Sequence, residues 1–171
     1  MSLYRSDFEP RRSEEFQALR DRMVQGAGLF SDRLLLELNA WLGLARACAH
    51  SARVQAILLT LQTDLRQVLQ RATIFHNQEP SPFLRERIRW LEETRETLER
   101  ERSSRELPEL PGDTVSGAIL DLLSIMAQRM GHELLEKMER ADPGMGEYLE
   151  RLPVLLFALA RYEEDQANPD R

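Results

Sequence analysis

Apolar residues recur along this chain at the spacing of one helical face. Val115, Ile119, Leu122, Met126, Leu134 and Met138 form one stripe; Leu149, Leu152, Leu156, Leu159 and Tyr162 form another. The segment Asp142-Pro143-Gly144-Met145-Gly146 separates them. A one-faced helix is marginal alone in water, so each stripe needs a partner. A short break favours antiparallel packing of the two against each other. Upstream, Leu34, Leu35, Leu38, Trp41, Leu42 and Ala45 predict a helix capped by Ser31 or Asp32 and running to about His50. Gly43 inside it costs about 0.5–1 kcal/mol relative to alanine, which a close helix crossing would explain. Leu58, Leu61, Leu65, Val68 and Leu69 continue the pattern from Val54 to about Thr73. Whether Ser51 breaks these two helices apart is left open by the pattern. Ser81-Pro82 is a good cap and first-turn pair for a helix carrying Leu84, Ile88, Trp90, Leu91 and Leu98. Its other face is laced with Arg85 and Arg89 against Glu92, Glu93 and Glu96, as expected of a wet surface.

Between these runs the chain is polar and broken. Residues 100–109 fray towards Pro108 and Pro111, and Asp113 is placed to cap the next helix. Pro153 is the awkward residue, because it lacks an N–H and crowds the carbonyl of Leu149. The last helix therefore either begins near Leu152 or kinks at Pro153. At the other end, Met1 to Arg12 reads as a frayed arm and Ser13 to Met23 as a short helix. No run alternates cleanly and β-branched residues are scarce, so no strand is expected. The expected architecture is all-α, an up-and-down bundle of about five helices. Residues 1–30 form a loosely specified arm, 31–163 the bundle domain and 164–171 a mobile acidic tail.

Composition narrows the function only a little. A chain of 171 residues with 42% hydrophobic residues can bury one sizeable core. The net charge of −6 argues against a nucleic-acid surface. Lys137 is the only lysine, and Cys48 the only cysteine, so no intrachain disulfide forms. His50, His76 and His132 lack metal-ligand spacing. Short runs such as Ile57-Leu58-Leu59 cannot cross a bilayer, and Met1 to Arg12 lacks the apolar core of a signal peptide. A cytoplasmic protein with no membrane partner is the default expectation.

Four motifs, in order, then resemble one family. They are Glu37-Leu38-Asn39-Ala40-Trp41-Leu42-Gly43-Leu44-Ala45, Leu61-Gln62-Thr63-Asp64-Leu65, Leu110-Pro111-Gly112-Asp113-Thr114 leading into Ala118-Ile119-Leu120, and Tyr148-Leu149-Glu150-Arg151-Leu152 running on to Arg161-Tyr162. They are similar to "DELNSxLGLA", "IQxxLF", "LPGGS…AAxLH" and "YLNRLSDLLFxLARY" of the PduO-type ATP:cob(I)alamin adenosyltransferases. The last match is the most specific, and the resemblance spans roughly residues 31–163. It implies a five-helix bundle, a homo-oligomer (a trimer in the family) and an active site between subunits. It also implies transfer of the 5′-deoxyadenosyl group of ATP to the cobalt of a reduced corrinoid.

The departures from that pattern are specific. The family's nucleotide segment, "TxxGDxGxT…K", has no counterpart in Met1 to Phe30, which contains no threonine and no lysine. The long helix should read roughly "LHxARTVCRRAER". Here Ser124 stands at the first arginine, Gln128 and Arg129 at the arginine pair, Gly131 at the glutamate and His132 at the last arginine. In the last helix Glu150 replaces the asparagine, and Pro153-Val154 the Ser-Asp pair. The polar motif positions that persist are Glu37, Asn39, Arg129, Arg151 and Arg161, the cofactor-binding candidates that the resemblance implies. A triphosphate needs converging cations and backbone donors, most of which are missing.

Three readings follow. The preferred one is a bundle with a degenerate ATP site, impaired in catalysis, whose undetermined ligand has cobalamin as candidate and ATP disfavoured. The others are an active adenosyltransferase with a rebuilt site, and a non-enzymatic structural or interaction protein. Single residues carry alternatives too. Arg129, Arg151 and Arg161 are either site relics or surface ion-pair partners, and Glu37 a buried pin. His132 is either an inert exposed histidine or an axial base to a metal centre. Asp121 is a partner for a buried arginine. Met126, Met130, Met138 and Met145 are either core filler or a soft cofactor lining.

Overall fold

The computed structural model describes residues 30–72, 80–102, 110–137 and 143–167. The expected arm and short helix within residues 1–30 lie outside the described residues. Five helices carry the described chain: α1 (Phe30–Cys48), α2 (Ala52–Ala72), α3 (Pro82–Glu101), α4 (Val115–Lys137) and α5 (Gly144–Ala167). Among the described residues there is no strand. Helix α5 packs on α4 and α3, α1 packs on α2 and α4, and α2 touches α5 more lightly. Gly117 meets Glu164 while Gly131 meets Leu149, so α4 and α5 are antiparallel. Arg151 pairs with Glu92 and Arg102 with Asp165, so α3 and α5 run the same way. The bundle is up-and-down, as expected.

Local signals set the helix ends. Ser81 Oγ accepts from the Leu84 N–H at 3.3 Å, and Pro82 occupies the first turn of α3. Ser51 does break α1 from α2: α1 stops at Cys48, and Ser51 Oγ accepts from the Val54 N–H at 3.4 Å. Gly43 is where α1 and α2 cross closely. A Cβ there would stand 3.2 Å from Gln62 Nε2, whose amide donates to the Asn39 carbonyl at 3.1 Å. The core is Leu-rich and includes Leu42, Leu58, Leu61, Leu84, Leu91, Leu120, Leu123 and Leu156. Met126, Met130 and Met145 fill it, so they are core rather than cofactor lining.

Three expectations are corrected. First, α4 buries only part of the predicted stripe. Met126 and Leu134 are buried and Ile119 packs on the core, but Val115 is 68% and Leu122 46% exposed, while Ser116, Leu120, Leu123, Ala127 and Met130 face inward; Met138 lies outside the described residues. The helix carries apolar residues on more than one face, and periodicity alone did not choose between them. Second, α5 runs from Gly144 through Pro153, so of the two alternatives the start near Leu152 is excluded. The lost N–H removes one helical hydrogen bond without ending a helix so extensively packed. Third, the acidic run beginning at Glu163 is not a mobile tail as far as it is described. Glu163, Glu164 and Asp165 are helical and buried.

The reason lies at one end of the bundle, where α2 and α4 both begin beside the end of α5. The fully buried Glu163 carboxylate accepts from the His50 and Ser51 N–H groups, the latter at 3.2 Å, and from Ser116 Oγ at 2.9 Å. An anion at the start of a helix satisfies orphan donors and complements the helix dipole. Asp165 pairs with Arg102 Nε at 3.1 Å. Arg161 pairs with Asp121 and, at 3.0 Å, with Glu164. An acidic run thus reads as solvated in sequence yet is consumed by helix ends and arginines.

Candidate functional site

Helices α4 and α5 separate on their outer side to leave an open groove of about 560 Å³. The α4 wall is Ser124, Ile125, Gln128, Gly131, His132 and Leu135; the α5 wall is Leu149, Glu150, Pro153, Val154 and Phe157. Spacings of three and four place each set on one helix face. At Gly131 a Cβ would stand 3.3 Å from Leu149 Cβ, so a side chain there would press on the opposite wall.

The lining is mainly apolar. Ile125 is 67% exposed, Val154 47% and Phe157 46%, and Leu122, outside the groove, is 46% exposed. These residues continue the groove as an apolar face. The polar lining is acceptor-rich. Glu150 brings a carboxylate, and Gln128 an amide. Pro153 has no N–H to give the Leu149 carbonyl one turn earlier. That carbonyl oxygen lies 3.7 Å from where a Gly131 Cβ would be, towards α4. The Ser124 hydroxyl is engaged, donating to the Asp121 carbonyl at 2.8 Å. No lysine or arginine is among the lining residues.

The residues inferred from the family pattern fall elsewhere. Arg129 is exposed on α4 and not part of the lining. Arg151 is exposed and pairs with Glu92 at 3.1 Å and Glu147 at 3.4 Å. Glu37 is exposed rather than a buried pin. The half-buried Asn39 holds Gln62 through its main chain. Arg161 is neither a surface residue nor a groove residue. It is 2% exposed, pairs with Asp121 as the buried-partner expectation required, and lies under the Phe157 ring at 5.2 Å. Burial pushes the Glu164 carboxyl up from its usual range, and Arg161 only partly pulls it back. Within one chain these five residues do not converge on one place.

What the chain does gather is the other set. Ser124, Gln128, Gly131, His132, Glu150, Pro153 and Val154, all positions where the sequence departs from the family pattern, line the groove together. The apolar walls Ile125, Leu135 and Phe157 escaped sequence reasoning. Their signal was an apolar residue lying off the core-facing stripe of an already buried helix.

No helix among the described residues is long and apolar enough to cross a membrane. The described residues also contain no group of three or more His, Cys, Asp or Glu able to hold a bare metal ion. A search of curated proteins returned no match to the chain. The family model for cobalamin adenosyltransferase, in contrast, matches residues 35–163. With that match covering well over half of the chain and all-α bundle geometry beneath it, this protein belongs to the cobalamin adenosyltransferase family.

Proposed function

We propose that this family member binds a corrinoid in the α4–α5 groove and has lost ATP-dependent adenosyl transfer. One observation carries the reading: the replaced positions Ser124, Gln128, Gly131, His132, Glu150, Pro153 and Val154 all fall in the groove lining, and none of them supplies an arginine or lysine. A triphosphate is held by converging cations and backbone donors. Of the groove residues only His132 can carry positive charge, while Glu150 repels phosphate. The groove does not fit ATP.

A corrinoid fits its chemistry better. The flat macrocycle is broad and apolar, and its rim carries amide side chains. Ile125, Leu135, Val154 and Phe157 offer apolar contact, and Glu150, Gln128 and the Leu149 carbonyl offer acceptors for amide N–H groups. The ring supplies cobalt chemistry when bound. The chain's own residues orient it and exclude water from one of its faces. The test is an anaerobic incubation with ATP and chemically reduced cobalamin beside a competent family member. No adenosylcobalamin should form, while hydroxocobalamin should be retained on ultrafiltration. Adenosylcobalamin formed at a rate near the control's would return the chain to the active enzymes of its family.

A second reading concerns assembly. Leu122, Ile125, Val154 and Phe157 are too apolar a set to face water without consequence. We read them as a face on which a second copy of the chain packs along the groove's rim, Leu122 lying outside the groove and the other three in its walls, consistent with a homo-oligomer. Light scattering should give a mass well above one chain, three chains if the family's trimer is kept. A monomer at all accessible concentrations would reject this.

A further inference from the structure

We infer that His132 supplies an axial nitrogen to the cobalt of a corrinoid seated in the α4–α5 groove; the inference rests on the corrinoid reading above. Bare metal binding needs several converging ligands, and the described residues contain no such cluster. A metal held here must therefore arrive chelated. The corrin ring holds cobalt by its own nitrogens in the ring plane and leaves positions open above and below. One protein donor then suffices.

The groove offers one suited to a transition metal. Imidazole nitrogen is the commonest protein metal ligand. Ser124 is committed to the Asp121 carbonyl at 2.8 Å. Glu150 is a hard, charged oxygen donor, better matched to amide N–H groups at the ring's rim. Of the other histidines, His50 Nδ1 lies 3.4 Å from Glu163 at the bundle end, and His76 lies outside the described residues. His132 is exposed on the α4 wall next to Gly131 and one turn beyond Gln128, so its ring is reachable from the groove. Its place in the pattern is also telling. Where the family carries an arginine for phosphate, this chain carries the residue able to ligate a metal as a neutral base.

The exchange is simple in atoms and electrons. The imidazole lone pair forms the nitrogen–cobalt bond, one cobalt-bound water leaves, and the oxidation state of cobalt does not change. An imidazolium would first release its proton to solvent.

The probe is diaquacobinamide, a corrinoid without a lower base of its own. Titrated into the full chain, it should show a saturable shift of its visible bands. His132→Ala should lose the band shift and bind more weakly, by about tenfold or more, with retention on ultrafiltration recovered at higher protein concentration. Reduced to the cobalt(II) form, the parent complex should show a triplet splitting from one nitrogen-14 in its electron paramagnetic resonance spectrum, absent in His132→Ala. His132 is exposed, so the variant should keep its fold, which circular dichroism checks. Retention without a shift, or a shift that survives in His132→Ala, overturns axial ligation and leaves the corrinoid reading standing. No retention of cobinamide or hydroxocobalamin by the parent overturns both.

Discussion

Replacing Arg161 with methionine tests whether this family-matching arginine serves the scaffold. Its side chain is 2% exposed and touches Asp121 and Glu164, whose side chains are 10% and 6% exposed. Methionine keeps the apolar volume and removes the charge. Breaking a buried pair by deleting one partner costs about 3–5 kcal/mol, because the remaining charge is left in a poor solvent. Loss of the contact with the Phe157 ring adds roughly 0.5–1 kcal/mol. For a chain of this size, each kcal/mol lowers the midpoint by about 2–4 °C, so a fall of roughly 7–24 °C is expected. The sign of the pH dependence is a sharper test. Burial already raises the Glu164 pKa in the folded state, and Arg161 pulls it down. Without Arg161 the folded pKa rises further above the unfolded value. Between those two values the folded chain binds more protons, so stability falls as pH rises through that window. Arg161→Met should therefore lose more stability at neutral than at mildly acidic pH. Neutralising one of its two acidic partners as well, in a D121N/R161M double variant, should recover part of the loss. Urea unfolding followed by circular dichroism, at fixed protein concentration, measures all of this. A variant within about 1 kcal/mol of the parent, or one equally weakened at both pH values, would refute the reasoning.

Other substitutions probe the same account. Glu163→Ala leaves the His50 and Ser51 N–H groups and the Ser116 hydroxyl without their shared acceptor, so denaturant unfolding should show a loss of about 1–3 kcal/mol. Gly117→Ala places a Cβ 2.7 Å from Glu164 Cγ and 2.8 Å from Thr114 Oγ1, and should cost about 1–3 kcal/mol in the same assay. Ile125→Glu adds a charge to a residue that is 67% exposed, so stability should stay within about 0.5 kcal/mol of the parent. Retention of hydroxocobalamin by Ile125→Glu should nevertheless fall by about tenfold or more, since apolar wall contact is replaced by a hydrated carboxylate.

The fold was legible wherever the signal was local or compulsory. Ser81 and Pro82 mark the start of α3 by their own chemistry. Gly43 announced a close crossing because glycine inside a helix needs a reason, and Gln62 supplies it. Asp121 announced a cation because an acid on an apolar face must be paired, and Arg161 is that cation. The rest depended on tertiary context. Helix α4 has apolar residues on more than one side, so choosing the Leu120–Leu123–Ala127 face over the Val115–Leu122 face required its neighbours. Pro153 left a helix start or a kink open because the packing that carries α5 past it lies outside the local sequence. Nothing local marks Glu163 as a buried acceptor, because the helix starts that it caps lie far away along the chain. The groove was hidden for a related reason. Its walls join residues from two helices, and attention went to the motif positions that persist, which turn out to lie on the surface, at a helix crossing or in a buried pair.

The most direct measurement is a pair of calorimetric titrations of the full chain, one with ATP and Mg²⁺ and one with hydroxocobalamin. A groove without lysine or arginine should give no saturable heat with the nucleotide and a saturable isotherm with the corrinoid. Tight, saturable nucleotide binding would mean that cations reach the site from parts of the assembly assigned other roles, and would contradict the account at its centre.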